Sequence, residues 1–209
     1  MIERRLILLL AAGAALAAAA PAAADSGLLD RMAAVNPHLR SFRAILHAHV
    51  ALKSFPFLST DLVGTYYYKQ PDKNKVVFTS GVPLVAKQFD NLYAHIEPAA
   101  RWRDVYDVTV VSDDGNATVF RLVPKKHGNV DHLDATVDDR RATVTTMRWN
   151  YTNGGYAEMT NHYGTRDGNL VVESQSGHVT EPGYDADLSS TIDDYAINPN
   201  LSDDLFTNQ

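Results

Sequence analysis

The sequence predicts a mainly β, α+β domain built on one strongly curved antiparallel sheet, with helices covering its apolar concave face. Three observations carry this reading. Turn-forming residues recur about every ten positions between Asp113 and Gly183. The runs between those turns place apolar side chains on one parity. Only two stretches, one after Ser26 and one after Leu84, space their apolar residues at a helical period.

The chain starts with Arg4-Arg5, an apolar stretch from Leu6 to Ala20 and the small residues Ala22-Ala23-Ala24. This is the pattern of an export signal, with cleavage expected after Ala24 and residues 25–209 left as a single domain. A domain of that size can bury a core without staples, and the sequence has no cysteine for disulfides or lipid attachment. With Glu3, Arg4 and Arg5 removed, 24 acidic and 17 basic side chains remain, a net charge of −7. That balance disfavours nucleic acid and anionic membrane surfaces as partners.

Ser26 to Leu39 spaces Leu28, Leu29, Met32 and Val35 along one helical face, and Pro37 stops the run. Ser41 to Lys53 then alternates. Phe42, Ala44, Leu46, Ala48, Val50 and Leu52 point one way, while Arg43, Ile45, His47, His49 and Lys53 point the other. Leu62 to Phe78 reads as a hairpin, three tyrosines and a β-branched run flanking a Pro-Asp-Lys-Asn turn. Leu84 to Glu97 predicts a second helix carrying Val85, Phe89, Leu92 and Ile96, closed by Pro98.

Beyond Trp102 the pattern is a meander. Strands are expected over Asp104 to Val111, Thr118 to Val123, Val130 to Val137, Ala142 to Tyr151 and Tyr156 to Tyr163, with a last one over Ser190 to Ile197. Reversals at Arg166-Asp167-Gly168-Asn169 and Glu181-Pro182-Gly183 intervene. The total is roughly eight to ten strands, a number at which a one-sided antiparallel sheet curls.

The inner parity carries Leu46, Val50, Tyr66, Tyr68, Val76, Phe78, Tyr106, Phe120, Leu122, Leu133, Met147 and Trp149. Under a lid of Val85, Phe89, Leu92 and Ile96 this face encloses either a packed core or a hydrophobic pocket, and the pattern alone leaves both open. Competing chemistry finds little support. His47 and His49 share a strand face at a usable metal-ligand spacing, but Arg43 stands beside them and no third ligand is evident. The sequence holds no G-x-S-x-G, H-E-x-x-H or phosphate-binding loop. Asp113-Asp114, Asp138-Asp139, Asp193-Asp194 and Asp203-Asp204 are expected in turns or the tail, where adjacent carboxylates splay apart. The expectation is a non-enzyme without cofactor or metal.

The order of motifs adds a specific likeness. Gly64-Thr65-Tyr66-Tyr67-Tyr68-Lys69-Gln70-Pro71, then Tyr106, Leu122-Val123-Pro124-Lys125, Val130-Asp131-His132-Leu133 and Val137-Asp138, behind a signal peptide, resembles the LolA-like periplasmic lipoprotein carriers. The resemblance implies an incomplete antiparallel barrel plugged by helices, with a cavity for acyl chains faced by Tyr66, Tyr68 and Gln70. It implies as partners the acyl chains of lipoproteins or another lipid, together with a membrane-bound donor or acceptor protein, and a monomer is expected. A sensor that binds lipid without transporting it is the alternative. Gln70 stands where the best-known carriers have an arginine, and Asn74 replaces a phenylalanine.

Overall fold

The structure, a computed structural model, describes residues 26–54, 58–79 and 97–207. The expected signal peptide and the predicted lid residues Val85, Phe89, Leu92 and Ile96 lie outside the described residues.

One helix, α1 (Ser26–Ala33), precedes the hairpin strands β1 (Ser41–Leu52), β2 (Leu58–Lys69) and β3 (Lys73–Phe78). A 3-10 turn at Ala99–Arg101 and the one-turn helix α2 (Trp102–Val105) lead into a seven-strand meander. Its strands are β4 (Tyr106–Asp113), β5 (Ala117–Pro124), β6 (Val130–Asp138), β7 (Thr143–Tyr151), β8 (Tyr156–Arg166), β9 (Asn169–Glu181) and β10 (Tyr184–Ile197). A second 3-10 turn, Asp203–Phe206, ends the described chain.

The ten strands of the described residues form one antiparallel sheet in the order β3-β2-β1-β10-β9-β8-β7-β6-β5-β4, so β3 and β4 are its edges there and the barrel is incomplete. Phe78 from one edge and Tyr106 from the other pack against a single buried cluster, which requires the sheet to wrap around it. Leu28, Leu29 and Met32 of α1 fill the concavity of that cluster. The helix ends earlier than its periodicity suggests. Beyond it, the Asn36 side chain donates to the Leu170 carbonyl (2.7 Å) and accepts from the Leu170 N–H (2.9 Å), pairing both backbone groups of that β9 residue.

Two local expectations change in the folded chain, and β9 is a strand that the pattern left unassigned. β9 is a strand of 13 residues although it carries polar side chains on both parities, and β10 starts at Tyr184, ahead of the expected Ser190. Pairing supplies what alternation lacks: β9 lies between β8 and β10, and β10 between β9 and β1. Asp193 and Asp194 lie within β10, not in a turn, and Asp194 adopts a left-handed φ of 49° at a register shift against β1. The Asp167-Gly168 reversal does form as expected, with φ of 47° and 74°, a pair of left-handed residues that suits a two-residue hairpin.

The convex face carries an ordered row of charge. Arg121 lies opposite Asp134, Asp134 opposite Arg148, Arg148 opposite Glu158, Glu158 opposite His178, and His178 opposite Asp187. Arg121 grips Asp134 with two bonds (2.8 and 3.0 Å), Arg148 donates to Glu158 (3.2 Å), and a His178 ring nitrogen lies 2.7 Å from Asp187. Exposed pairs of this kind contribute about 0.2–1 kcal/mol each, so their main effect is on register: a one-residue slip would turn the row inward.

The C-terminal tail is tied down. Asn198, at φ 54°, accepts from the N–H groups of Arg40 and Ser41 and donates to the His38 carbonyl. On the outer face of the β2–β3 hairpin, Lys69 and Lys75 donate to the carbonyls of Leu201 and Leu205, and Lys69 and Lys73 both grip Asp203. Hydrogen bonds from those two ammonium groups hold the Asp203 carboxyl down to about 2, from an ordinary 3.8. A carboxyl lowered by folding stabilises the docked tail at every pH above its unfolded value, and this contribution is lost as pH falls through about 2. Protection of the Leu205 amide, its exchange rate relative to the intrinsic rate at the same pH, is therefore expected to fall between about pH 4 and pH 2, a transition that Asp203→Asn removes.

Candidate functional site: a tyrosine-walled cavity

A cavity of about 530 Å³ lies where α1 and its following loop, the β2–β3 hairpin and the 3-10 turn before α2 meet the sheet. Its size falls in the range of about 300–1,000 Å³ usual for small-molecule clefts. The side chains on it come from distant parts of the chain: Met32 and Val35, Phe42, Tyr66 and Tyr68, Tyr163, Leu170 and Val172, and Tyr195.

Phe42 is the centre of the aromatic wall. Its ring meets Tyr66 edge-on at 5.1 Å, stacks on Tyr68 at 5.3 Å and meets Tyr195 at 5.3 Å. β1–β2 pairing puts Phe42 directly across from Tyr68, which places these rings side by side on the inner parity. Three of the phenol groups are hydrogen-bonded to protein groups of the same wall. Tyr66 donates to Asn74 Oδ1 (3.1 Å), Tyr163 to the Val144 carbonyl (2.8 Å) and Tyr195 to the Val172 carbonyl (2.6 Å). With their hydroxyls paired, the rings present apolar faces.

Burial pushes the Tyr163 phenol up to about 12 and raises Tyr195 too. Tyr68 is raised first by burial and then by the negative charge of Asp72. All three stay neutral across the physiological range.

Of the residues expected to form a cavity wall, Tyr66, Tyr68 and Gln70 line this cavity. Leu46 is wholly buried in a second cluster with Ala44 and Ile192, against which Val76 and Phe78 pack. Val50, Phe120, Leu122, Leu133, Met147 and Trp149 belong to the main buried cluster, and Tyr106 packs on it. His47 and His49 sit half-exposed on the convex face, His47 3.9 Å from Asp193 and His49 2.7 Å from Asp61. No three metal-ligating side chains cluster among the described residues.

Strict alternation misses Tyr195 because a bulge lies in β10, whereas Tyr163 shares the parity of the buried Ala157 and Met159. The β1–β10 register shifts between Arg43 and Ile45, so Ile192 and Tyr195, three residues apart, both face inward. The β8–β9 register shift beside Tyr163 places its extra residue, Glu173, on β9 and leaves the alternation of β8 unchanged. A bulge re-aims every side chain beyond it, and nothing in a two-residue alternation announces one.

No protein-family model matches the sequence, and no curated protein matches it. Among solved structures the chain resembles an outer-membrane lipoprotein-sorting protein domain from Vibrio parahaemolyticus, with a TM-score of 0.66 at 10% identity over 87% of this chain and 95% of that one. It also resembles a LolA superfamily protein from Nitrosomonas europaea, with a TM-score of 0.64 at 11% identity over 87% of this chain and 96% of that one. Coverage this complete at such low identity is agreement of backbone path rather than of side chains, and together with the ten-strand incomplete barrel and its inner cavity it gives the chain the LolA-like fold.

Proposed function

We propose that the chain is a periplasmic carrier that holds the acyl chains of a lipoprotein or another lipid in the tyrosine-walled cavity and passes them on to a membrane-bound partner. The observation that carries this reading is the wall itself: aromatic faces around a void of about 530 Å³, with three phenol groups hydrogen-bonded to protein partners within the wall. Burying some fifteen methylenes is worth about 12 kcal/mol at ~0.8 kcal/mol each, and a bilayer offers the same chain as much. A carrier therefore requires a pocket comparable to lipid, not better than it. Aromatic rings with polar tips suit that balance.

The export pattern at Arg4-Arg5 through Ala24 supports the periplasmic assignment, and no described helix is long and apolar enough to cross a membrane. Native mass spectrometry of protein purified from its own envelope is expected to give a polypeptide mass starting at Asp25, together with adducts of lipid mass. Added acylated peptide is expected to bind at one equivalent. A folded chain that takes up no acylated peptide refutes the carrier reading.

A further inference from the structure

The cavity and the C-terminal tail meet on opposite faces of one hairpin. Tyr66 and Tyr68 of β2 and Asn74 of β3 line the cavity, with Asn74 directly across from Tyr68. Side chains alternate along a strand, so Lys69, Lys73 and Lys75 leave the other face. There Lys69 donates to the Leu201 carbonyl (2.8 Å) and to Asp203 (2.7 Å), Lys73 lies 2.9 Å from Asp203, and Lys75 donates to the Leu205 carbonyl (2.6 Å). Among the described residues β3 pairs with β2 alone, so the tail supports an edge strand from outside. At the hairpin turn, Asp72 pairs with Arg101 of the 3-10 turn at 2.9 Å.

The two ends of the tail are held differently. Its start is fastened beside β1, where Asn198 accepts from the Arg40 and Ser41 N–H groups and the Pro199 carbonyl accepts from the Ser41 hydroxyl. From Leu201 to Leu205 it is held by partly exposed ammonium groups, which are individually weak contacts. A segment hinged at one end and weakly held at the other belongs to the low-stability elements that open locally without unfolding the domain.

We infer that the tail is a strap on the cavity wall: docked on Lys69, Lys73 and Lys75, it braces the β2–β3 hairpin from outside and slows the escape of what the inner face holds. The inference rests on reading the cavity as a lipid site. Tail and ligand bind the same two strands, so each strengthens the other by the same factor. Detaching the tail bares the outer face of β3, lets the wall of Tyr66 and Tyr68 move outward, and makes tail detachment a step that unloads the cavity.

The test measures the release rate of an acylated peptide from the mature chain, from a chain ending at Asn200, and from Lys73→Glu and Lys73→Arg variants. None of these changes touches a cavity-lining residue, and the shortened chain keeps the Asn198 and Pro199 contacts. Release is expected to be about five- to tenfold faster from the shortened chain, at least about twofold faster from Lys73→Glu, and unchanged in Lys73→Arg. An excess of the synthetic peptide of residues 201–209 is expected to slow release from the shortened chain again, and to do so less at high salt. Release at the parent rate from either the shortened chain or Lys73→Glu overturns the strap. A folded parent that takes up no acylated peptide overturns the lipid-site reading. In that event hydrogen exchange of the β3 amides still tests the brace: tail removal is expected to lower their protection, and unchanged protection overturns it.

Discussion

Trp102→Ala is expected to lower the unfolding free energy by about 4 kcal/mol, in the range of large aromatic truncations in packed cores. Trp102 is 2% exposed, its ring meets Phe120 edge-on at 6.2 Å, and its indole N–H donates to the Glu97 carbonyl at 2.9 Å. Truncation removes the packing against the main cluster, opens a void and strips a partner from that carbonyl. Domains have only about 5–15 kcal/mol in total, so the loss is a large share. In thermal unfolding it corresponds to a Tm lowered by roughly 8–16 °C for a domain of this length. Trp102→Phe keeps most of the ring and loses the N–H, and a cost of about 1–2 kcal/mol is expected from urea titration. A Trp102→Ala variant within about 1 kcal/mol of the parent would show that the turn before β4 does not anchor the core.

Tyr68→Asp is expected to reduce acylated-peptide uptake by at least about 100-fold, equivalent to about 2.7 kcal/mol. Tyr68 stacks on Phe42 in the cavity wall, and burial already raises its phenol. A carboxylate at that point replaces an apolar face with a group that loses several kcal/mol of hydration when a chain covers it, beside the like charge of Asp72. Tyr68→Phe removes only the hydroxyl, and uptake within about threefold of the parent is expected, because the ring supplies the contact. Uptake retained by a folded Tyr68→Asp variant would exclude Tyr68 from the ligand surface.

The two substitutions separate two roles that the amino-acid pattern merges. Trp102, Phe120, Met147 and Trp149 are a packed core, whereas Phe42, Tyr66, Tyr68, Tyr163 and Tyr195 surround the void. On parity all inward residues look alike. Which of them touch a void depends on how far the sheet wraps and where α1 lies, and both are set by contacts between residues far apart in sequence.

Local chemistry was sufficient wherever the periodicity is local. The alternation from Phe42 to Leu52, the hairpin around Pro71, and the turns at Asp113-Asp114-Gly115 and Asp167-Gly168 all form where their residues predict, since backbone preference and one-sided burial act within a few positions. The inward aim of Tyr66 and Tyr68 follows from the same rule. Tertiary structure alone decided the rest. β9 and the first half of β10 are strands because their neighbours pair with them. Tyr195 reaches the cavity because a bulge reverses its parity. The Arg101–Asp72 pair joins two turns 29 positions apart. Each of these depends on hydrogen-bond register and distant contacts, which an alternation of period two does not encode.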